Sequence, residues 1–317
     1  MVQRVIENAT TFHDMDPYRL RLLRELGEHG SVAAVAAAVG VTPSAVSQQL
    51  AILQDEAGVV LTEREDRRLV LTPAGRALAA AAVSVAKALA EADAAIEDFL
   101  MEESAPVRVC AFHSAALAFF GRLLATGGKS CPHLHLFDQD VAWTEFPRLT
   151  SDYDLVIAHR LPHQPDWPND WITAHRIVTE PIDIVMSPRH ELTKRPVLSA
   201  ADLADRDWVA VHDGYPLRGV LDQIGSSAGA AMRVVHQVND FSVAAEIVRT
   251  TDALAIMPRI AGLHLESAIE RRPVSGLRLQ RNIEVLARPE KLERAAVQRT
   301  LEMIHRVARD YVVTNHG

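Results

Sequence analysis

Cysteine is nearly absent from this sequence: Cys110 and Cys131 are the only two in 317 residues. Two thiols cannot build a disulfide framework, and so low a count fits a reducing compartment such as the cytoplasm. Each is expected to serve as a small buried hydrophobe rather than a redox thiol. Aromatic residues make up 5%, so the core must rest on Ala, Val, Leu and Ile. A run of about 18 apolar residues, enough to span a membrane, is also missing. The Ala-rich stretch from Ala77 to Ala95 is broken by Ser84, Lys87, Glu91 and Asp93, and no membrane partner is expected. The N-terminus shows no apolar stretch followed by a cleavage site, so the expected location is cytoplasmic. Positive charge is short as well, with a formal net charge of −8. That argues against a nucleic-acid binder, which usually carries a basic stripe. Net charge governs solubility and non-specific association rather than fold, however, so the objection weakens that class without closing it.

What is present is length and hydrophobic mass. A chain of 317 residues with 48% hydrophobic content can fill two or three domains with real cores. Residues 1–15 show no period and read as an extension. Residues 16–75 are helical and then briefly β-like. From Thr72 to about Glu103 runs one long helix, with Thr72 as its cap and Pro73 in its first turn. Leu78, Ala82, Val85, Leu89, Ala92, Ile96 and Phe99 alternate at spacings of four and three, a heptad seam. So Ala-rich a rod, about 45 Å long, is expected to pair with a second copy through Leu78, Val85, Leu89, Ile96 and Phe99.

The segment before that rod carries the strongest local pattern. Ser31 can cap a helix over Val32–Val39, which Gly40 ends. Thr42 can cap a second helix that opens on Pro43. Val46, Leu50 and Leu53 then share one face, leaving Ser44, Ser47, Gln48 and Gln49 on the open side. Small hydroxyls and amides suit a helix that reads base edges in a major groove. Two short helices joined by a tight turn are the helix-turn-helix. Leu61–Glu63 and Leu69–Leu71 flank Arg64, Glu65, Asp66, Arg67 and Arg68, a hairpin with cations at its tip that has the form of a wing.

After Pro106 short apolar runs alternate with helical patterns. Residues 107–111, 134–137, 155–158, 182–186, 208–211, 233–238, 254–257 and 283–287 read as buried strands, and a last amphipathic helix covers about 290–313. The alternation predicts an α/β architecture with mainly parallel sheets, divided between two lobes. In such sheets ligands sit beyond the carboxyl ends of strands. The candidate positions are therefore Phe112, His113 and Ser114, then His159 and Arg160, then His212 and Asp213, then Asn239, Asp240 and Phe241. His113, His159, Arg160 and His212 together suggest an anionic ligand.

The run GSVAAVAAAVGVTPSAVSQQLAILQDEAGVVL, followed by Arg64 and by LTPAG, resembles the N-terminal domain of LysR-type transcriptional regulators. The matching residues are Gly30-Ser31, Ala33-Ala34, Pro43, Ala45-Val46-Ser47, Leu53, Gly58, Leu61, Arg64, Leu71-Thr72 and Gly75. The family often has Arg where Gln48 stands, Glu where Gln54 stands and Phe where Thr62 stands. The resemblance implies a winged helix-turn-helix over 16–75 and a dimerisation helix over 76–105. It implies a two-lobed Rossmann-like effector domain beyond, like a periplasmic binding protein, with lobe I at 106–181 and 282–317 and lobe II at 182–281. It further implies base contacts by Ser44, Ser47 and Gln48, backbone contacts at Thr42 and Pro43, and wing contacts by Arg64 with Arg67 or Arg68. Ser114 would hold the polar head of an effector. Double-stranded DNA, a small-molecule effector, a second or fourth copy of the chain and RNA polymerase are the implied partners.

Rival chemistries fare worse. Gly127-Gly128-Lys129-Ser130 resembles the end of a phosphate loop, but the required earlier glycine is Leu123. His133 and His135 share a strand face with no third ligand at a recognisable spacing, so no metal is expected. Ser114 lacks the nucleophile-elbow glycines of an acyl-transfer enzyme. No cofactor and no enzymatic activity are expected. A solute-binding protein, or a winged helix fused to an enzyme, are the alternatives.

Overall fold

The computed structural model describes residues 15–65, 68–100, 105–126, 131–168, 171–259 and 269–315. Arg67 and the side chains of Arg68 and Phe99 lie outside the described residues. The chain forms two compact units, one of residues 1–103 with 168–172 and 288–295, the other of 104–167, 173–287 and 296–317.

The first unit opens with α1 (Pro17–His29), α2 (Val32–Val39) and α3 (Pro43–Ala57). Asp16, Ser31 and Thr42 cap them, each with a side-chain oxygen that accepts a backbone N–H of the first turn. Gly40 ends α2 in the left-handed region at φ 71°, where a side chain would strain the turn. The axes of α2 and α3 meet at 106°, within the range of a helix-turn-helix. Leu22, Leu23, Leu26, Val35, Val46 and Leu53 make the core, each at most 1% exposed. Truncating Leu53 to Ala there should cost about 2–5 kcal/mol.

A hairpin follows, β1 (Thr62–Glu65) paired antiparallel with β2 (Arg68–Leu71), and then α4 (Pro73–Leu100). Gln54 Oε1 accepts the Leu61 N–H at 3.0 Å, tying α3 to the start of the hairpin. The Thr72 hydroxyl donates to Val60 O at 2.7 Å and accepts the Gly75 N–H at 3.0 Å. A Cβ on Gly75 would stand 2.0 Å from Leu61 O, so only glycine lets the helix approach the hairpin this closely. Inside the unit Arg288 bonds both Glu25 and Glu28, while Arg24 donates to Glu290 at 2.5 Å. Glu25, Glu28 and His29 have the spacing of a three-ligand metal set, but the two arginines already answer the carboxylates.

The second unit holds a nine-stranded sheet of described strands. Its strands are β3 (Val107–Ala111), β4 (Leu134–Asp138), β5 (Leu155–Arg160), β6 (Thr173–Met186), β7 (Asp207–Ala210), β8 (Arg233–Gln237), β9 (Leu254–Pro258), β10 (Glu270–Arg272) and β11 (Gln280–Ala287). The order is β4-β3-β5-β11-β6-β9-β7-β8, with β10 beside β6. The helices that matter for the site are α5 (His113–Ala125) and α6 (Phe146–Leu149), α8 (Arg218–Ala228) and α9 (Phe241–Thr250), α7 being the short Ala200–Leu203. A last helix, α10, covers Ala295–Asn315.

The sheet corrects the expectation of mainly parallel pairing. β3 pairs parallel with β4 and β5, and β7 with β8 and β9. The centre is antiparallel: β11 with β5 and β6, and β6 with β9 and β10. The cause is β6, fourteen residues long, which pairs with β11 up to Pro181 and with β9 from Ile182. Thr173–Arg176 alternates half-buried and exposed residues, and in Ile177–Pro181 the buried Ile177 and Val178 are followed by Thr179 and the buried Glu180, so no long apolar run marks the strand in the sequence before Ile182. No single helix among the described residues is long and apolar enough to cross a membrane.

Candidate functional site

The first site is the outer face of α3. Val46, Leu50 and Leu53 are buried, while Thr42, Pro43, Ser44, Ser47 and Gln48 are exposed. This follows from the helical period: the apolar positions claim the core and hydroxyls and amides are left outside. Ser44 Oγ and Thr42 Oγ1 lie 3.1 Å apart, so the first turn presents a paired hydroxyl edge. Gln49 differs from the sequence expectation. It is half-buried, and its Oε1 accepts Arg19 Nε–H at 2.9 Å. Ser31 is half-buried and occupied as a cap, with its Oγ accepting the Ala34 N–H at 3.2 Å. Arg64 is exposed on the hairpin.

Cations on this unit are fewer than the sequence suggests. Arg19 is paired with Glu56, and Arg24 is buried with Glu28 and Glu290. Arg21, Arg64 and Arg76 remain exposed, as does Lys87 on α4. Along α4, Leu78 packs on the unit's own core beside buried Ala79 and Ala82. Val85, Leu89 and Ile96 are exposed at 37%, 48% and 56%, an apolar stripe three turns long. The seam thus begins later than its sequence pattern, because α1 covers its first turns.

The second site is a cleft of about 550 Å³, counting the open solvent at its mouth. Phe112, His113, Ser114 and Leu117 from the start of α5 line one side. Val211, Tyr215, Leu217 and the 239–242 segment line the other. Beside it the Trp143 backbone N–H donates to Gly214 O at 3.3 Å, and the Tyr215 hydroxyl donates to the Asp140 carbonyl at 3.4 Å. The floor is Arg281, whose Nε donates to Glu180 at 2.6 Å, whose Nη2 donates to Ser114 Oγ at 3.1 Å, and whose guanidinium lies 4.8 Å over the Phe112 ring. His159 packs on Phe112 with ring centroids 4.3 Å apart. Burial, reinforced by Arg281, holds its pKa well below the usual histidine range, so the ring is neutral at pH 7.

Of the sequence candidates, Phe112, His113, Ser114, His159, Asn239, Asp240 and Phe241 line this cleft. Arg160, His212 and Asp213 do not. Neighbours on a strand point to opposite faces, so His159 meets the cleft while Arg160 turns away to Glu284 at 3.0 Å and Asp166 at 2.6 Å. His212 is exposed and gives its N–H to Asn239 Oδ1 at 2.9 Å, and Asp213 pairs with Arg218 at 3.0 Å. The four groups that suggested an anionic ligand are therefore not gathered. His113 faces carboxylates, with Nδ1 at 3.2 Å from Asp138 and Nε2 at 3.9 Å from Asp240. The sequence reading missed Asp140 and Arg281. Asp140 follows β4, a strand end to which the same rule applied. Arg281 was hidden because a buried cation inside a strand looks like a loop residue until its partner, Glu180, is seen.

Residues 18–76 match the model of the bacterial regulatory helix-turn-helix protein, lysR family, and residues 101–309 match that of the LysR substrate binding domain. The chain belongs to the LysR family. It is a DNA-binding transcriptional regulator with an effector-binding domain, and not an enzyme. It is 24% identical to the transcriptional dual regulator GltC of Bacillus subtilis, over 77% of this chain and 81% of that one. It is 31% identical to the regulator CbbR of Xanthobacter flavus, over 67% and 63%. Among solved structures, a full-length OxyR variant from Pseudomonas aeruginosa superposes with a TM-score of 0.60 at 20% identity, over 93% of this chain and 95% of that one. ArgP from Mycobacterium tuberculosis gives 0.59 at 19%, over 92% and 96%. These likenesses fix the fold alone.

Proposed function

We propose that this LysR-family regulator reads an operator with the exposed face of α3 and is switched by a small molecule seated in the cleft. Ser44, Ser47 and Gln48 meet base edges, Thr42 and Pro43 sit at the phosphate backbone, and Arg64, Arg67 and Arg68 form the wing contact. Ser31 and Gln49 act behind that face, holding α2 and α3 in position. The observation that carries this reading is the sidedness of α3, with a fully buried apolar face and an outer face of hydroxyls and amides.

Two copies pair through Val85, Leu89 and Ile96 and set two α3 helices on successive major-groove faces. Dimers assemble further into a tetramer, and the protein works in the cytoplasm. Residues 16–75 serve as the reading domain and 76–105 as the dimerisation helix. Residues 106–181 with 282–317 form one lobe and 182–281 the other. The effector's polar head is received by Ser114 at the start of α5. The anionic head expected from sequence has less support than a polar one, because Arg281 is already matched by Glu180. Effector binding biases the angle between lobes by its differential affinity for two arrangements, changing DNA bending or access of RNA polymerase.

The test is mapping of bound DNA in cells. Discrete promoter sites with partial dyad symmetry, half-sites about one helical turn apart or a multiple of it, are expected. Uniform occupancy without such sites would overturn the reading.

A further inference from the structure

The cleft's charge bears on the class of its ligand, an inference that rests on the cleft being the effector site. Two carboxylates line it, Asp140 after β4 and Asp240 at the start of α9. Each gives one oxygen to the backbone. Asp140 Oδ1 accepts the His113 N–H at 2.9 Å, and Asp240 Oδ1 accepts the Ser242 and Val243 N–H groups at 2.8 and 2.9 Å. Their second oxygens accept no hydrogen bond from the described residues, His113 Nε2 standing 3.9 Å from Asp240 Oδ2.

The cleft's basic groups do not offset this charge: His113 stands between two carboxylates, Asp138 at 3.2 Å and Asp240 at 3.9 Å. Arg281 is matched to Glu180, with both side chains at most 2% exposed. His159 is uncharged, nine-tenths buried and part of the lining, and its Nδ1 has no hydrogen-bond partner among the described residues. A buried polar atom left in that state is one that a ligand can satisfy. Tyr215 and Phe241, both half-buried, supply aromatic surface beside these groups. Unbalanced negative charge in a partly enclosed cleft attracts a cation and repels an anion, and aromatic faces add to that preference.

We infer that the effector is a small organic cation, a primary amine or amidine on an apolar or aryl body. Its nitrogen faces Asp140 and Asp240, and its body lies on the aromatic wall beside His159. This reverses the anionic expectation drawn from the sequence.

The test titrates the full chain with phenethylamine, hydrocinnamate and phenethyl alcohol, which share an aryl body and differ in head charge, followed by ligand-observed NMR. The variants are Asp140→Asn with Asp240→Asn, and Leu117→Trp, which fills the cleft. Asparagine keeps the carbonyl oxygen that accepts the backbone N–H groups, so the variant removes charge and not the caps, as an unchanged melting temperature verifies. Phenethylamine should bind at least about tenfold more tightly than hydrocinnamate, and the double asparagine variant should abolish most of that ratio. Tighter binding of hydrocinnamate, no binding of phenethylamine, or a preference that survives loss of both carboxylates would overturn the inference. Probe binding untouched by Leu117→Trp would instead overturn the cleft as the effector site.

Discussion

Arg281 and Glu180 face each other across β11 and β6, with Nε 2.6 Å from Oε2 and the two side chains 2% and 0% exposed. The pair sits where β6 is about to exchange one neighbour strand for another, and it forms the floor of the cleft through Ser114 and Phe112. A buried pair of this kind is matched internally, so losing one member leaves an uncompensated charge.

Glu180→Gln should therefore destabilise the second unit by about 3–5 kcal/mol, measured by chemical unfolding. The double variant Glu180→Gln with Arg281→Met should recover a substantial part of that loss. A single variant as stable as the parent would show that the pair contributes nothing.

The neutral state of His159 sets a pH dependence. Its folded pKa is depressed while the unfolded ring titrates near about 6.5. Its contribution to stability is full above the unfolded value and is lost as pH falls below it towards the folded value, because only the unfolded chain takes up the proton. Between about pH 7 and pH 5.5 the slope of unfolding free energy from this residue should rise from about 0.3 to about 1.2 kcal/mol per pH unit, a loss of about 1.3 kcal/mol across the window. His159→Phe, which keeps an aromatic ring against Phe112, should flatten the slope by that amount. Parallel slopes for variant and parent would refute the assignment.

The exposed stripe on α4 sets the assembly. Leu89→Asp with Ile96→Glu places charge at two positions that are 48% and 56% exposed in the single chain. The expectation is an intact fold by circular dichroism and at least a tenfold weaker self-association by sedimentation equilibrium, about 1.4 kcal/mol or more. Unchanged association would move the interface elsewhere.

The helices of the first unit were legible because each carried its own punctuation. Ser31, Gly40, Thr42 and Pro43 marked ends that the structure reproduces at Val32–Val39 and Pro43. Buried strands such as Val107–Ala111 and Leu155–Arg160 were legible as apolar runs. The first half of β6 was not, since Thr173, His175 and Glu180 break the run and only pairing with β11 makes it a strand. In the cleft, strand-end positions were found by rule, but side-chain direction was not: His159 and Arg160 were read together, and alternation sends them to opposite faces. Which charges are already matched is a tertiary property, and it separates Arg281 and Arg160 from a free cation.

The same property shapes DNA binding. With Arg19 and Arg24 in ion pairs, at most Arg21, Arg64, Arg67, Arg68 and the exposed Arg76 at the start of α4 are available to phosphates on each reading unit. A dimer should show a slope of log affinity against log salt no steeper than about −9, from titrations of operator DNA across a range of salt.

The most direct measurement is the affinity of the full chain, by fluorescence anisotropy, for a mapped operator and for a scrambled duplex. Parent and Ser47→Ala/Gln48→Ala protein are compared at one salt concentration. Reading by α3 requires the variant to lose at least about tenfold on the operator, about 1–3 kcal/mol per base contact, and almost nothing on the scrambled duplex. Equal operator affinity for the two proteins would contradict the assignment of α3 as the reading helix.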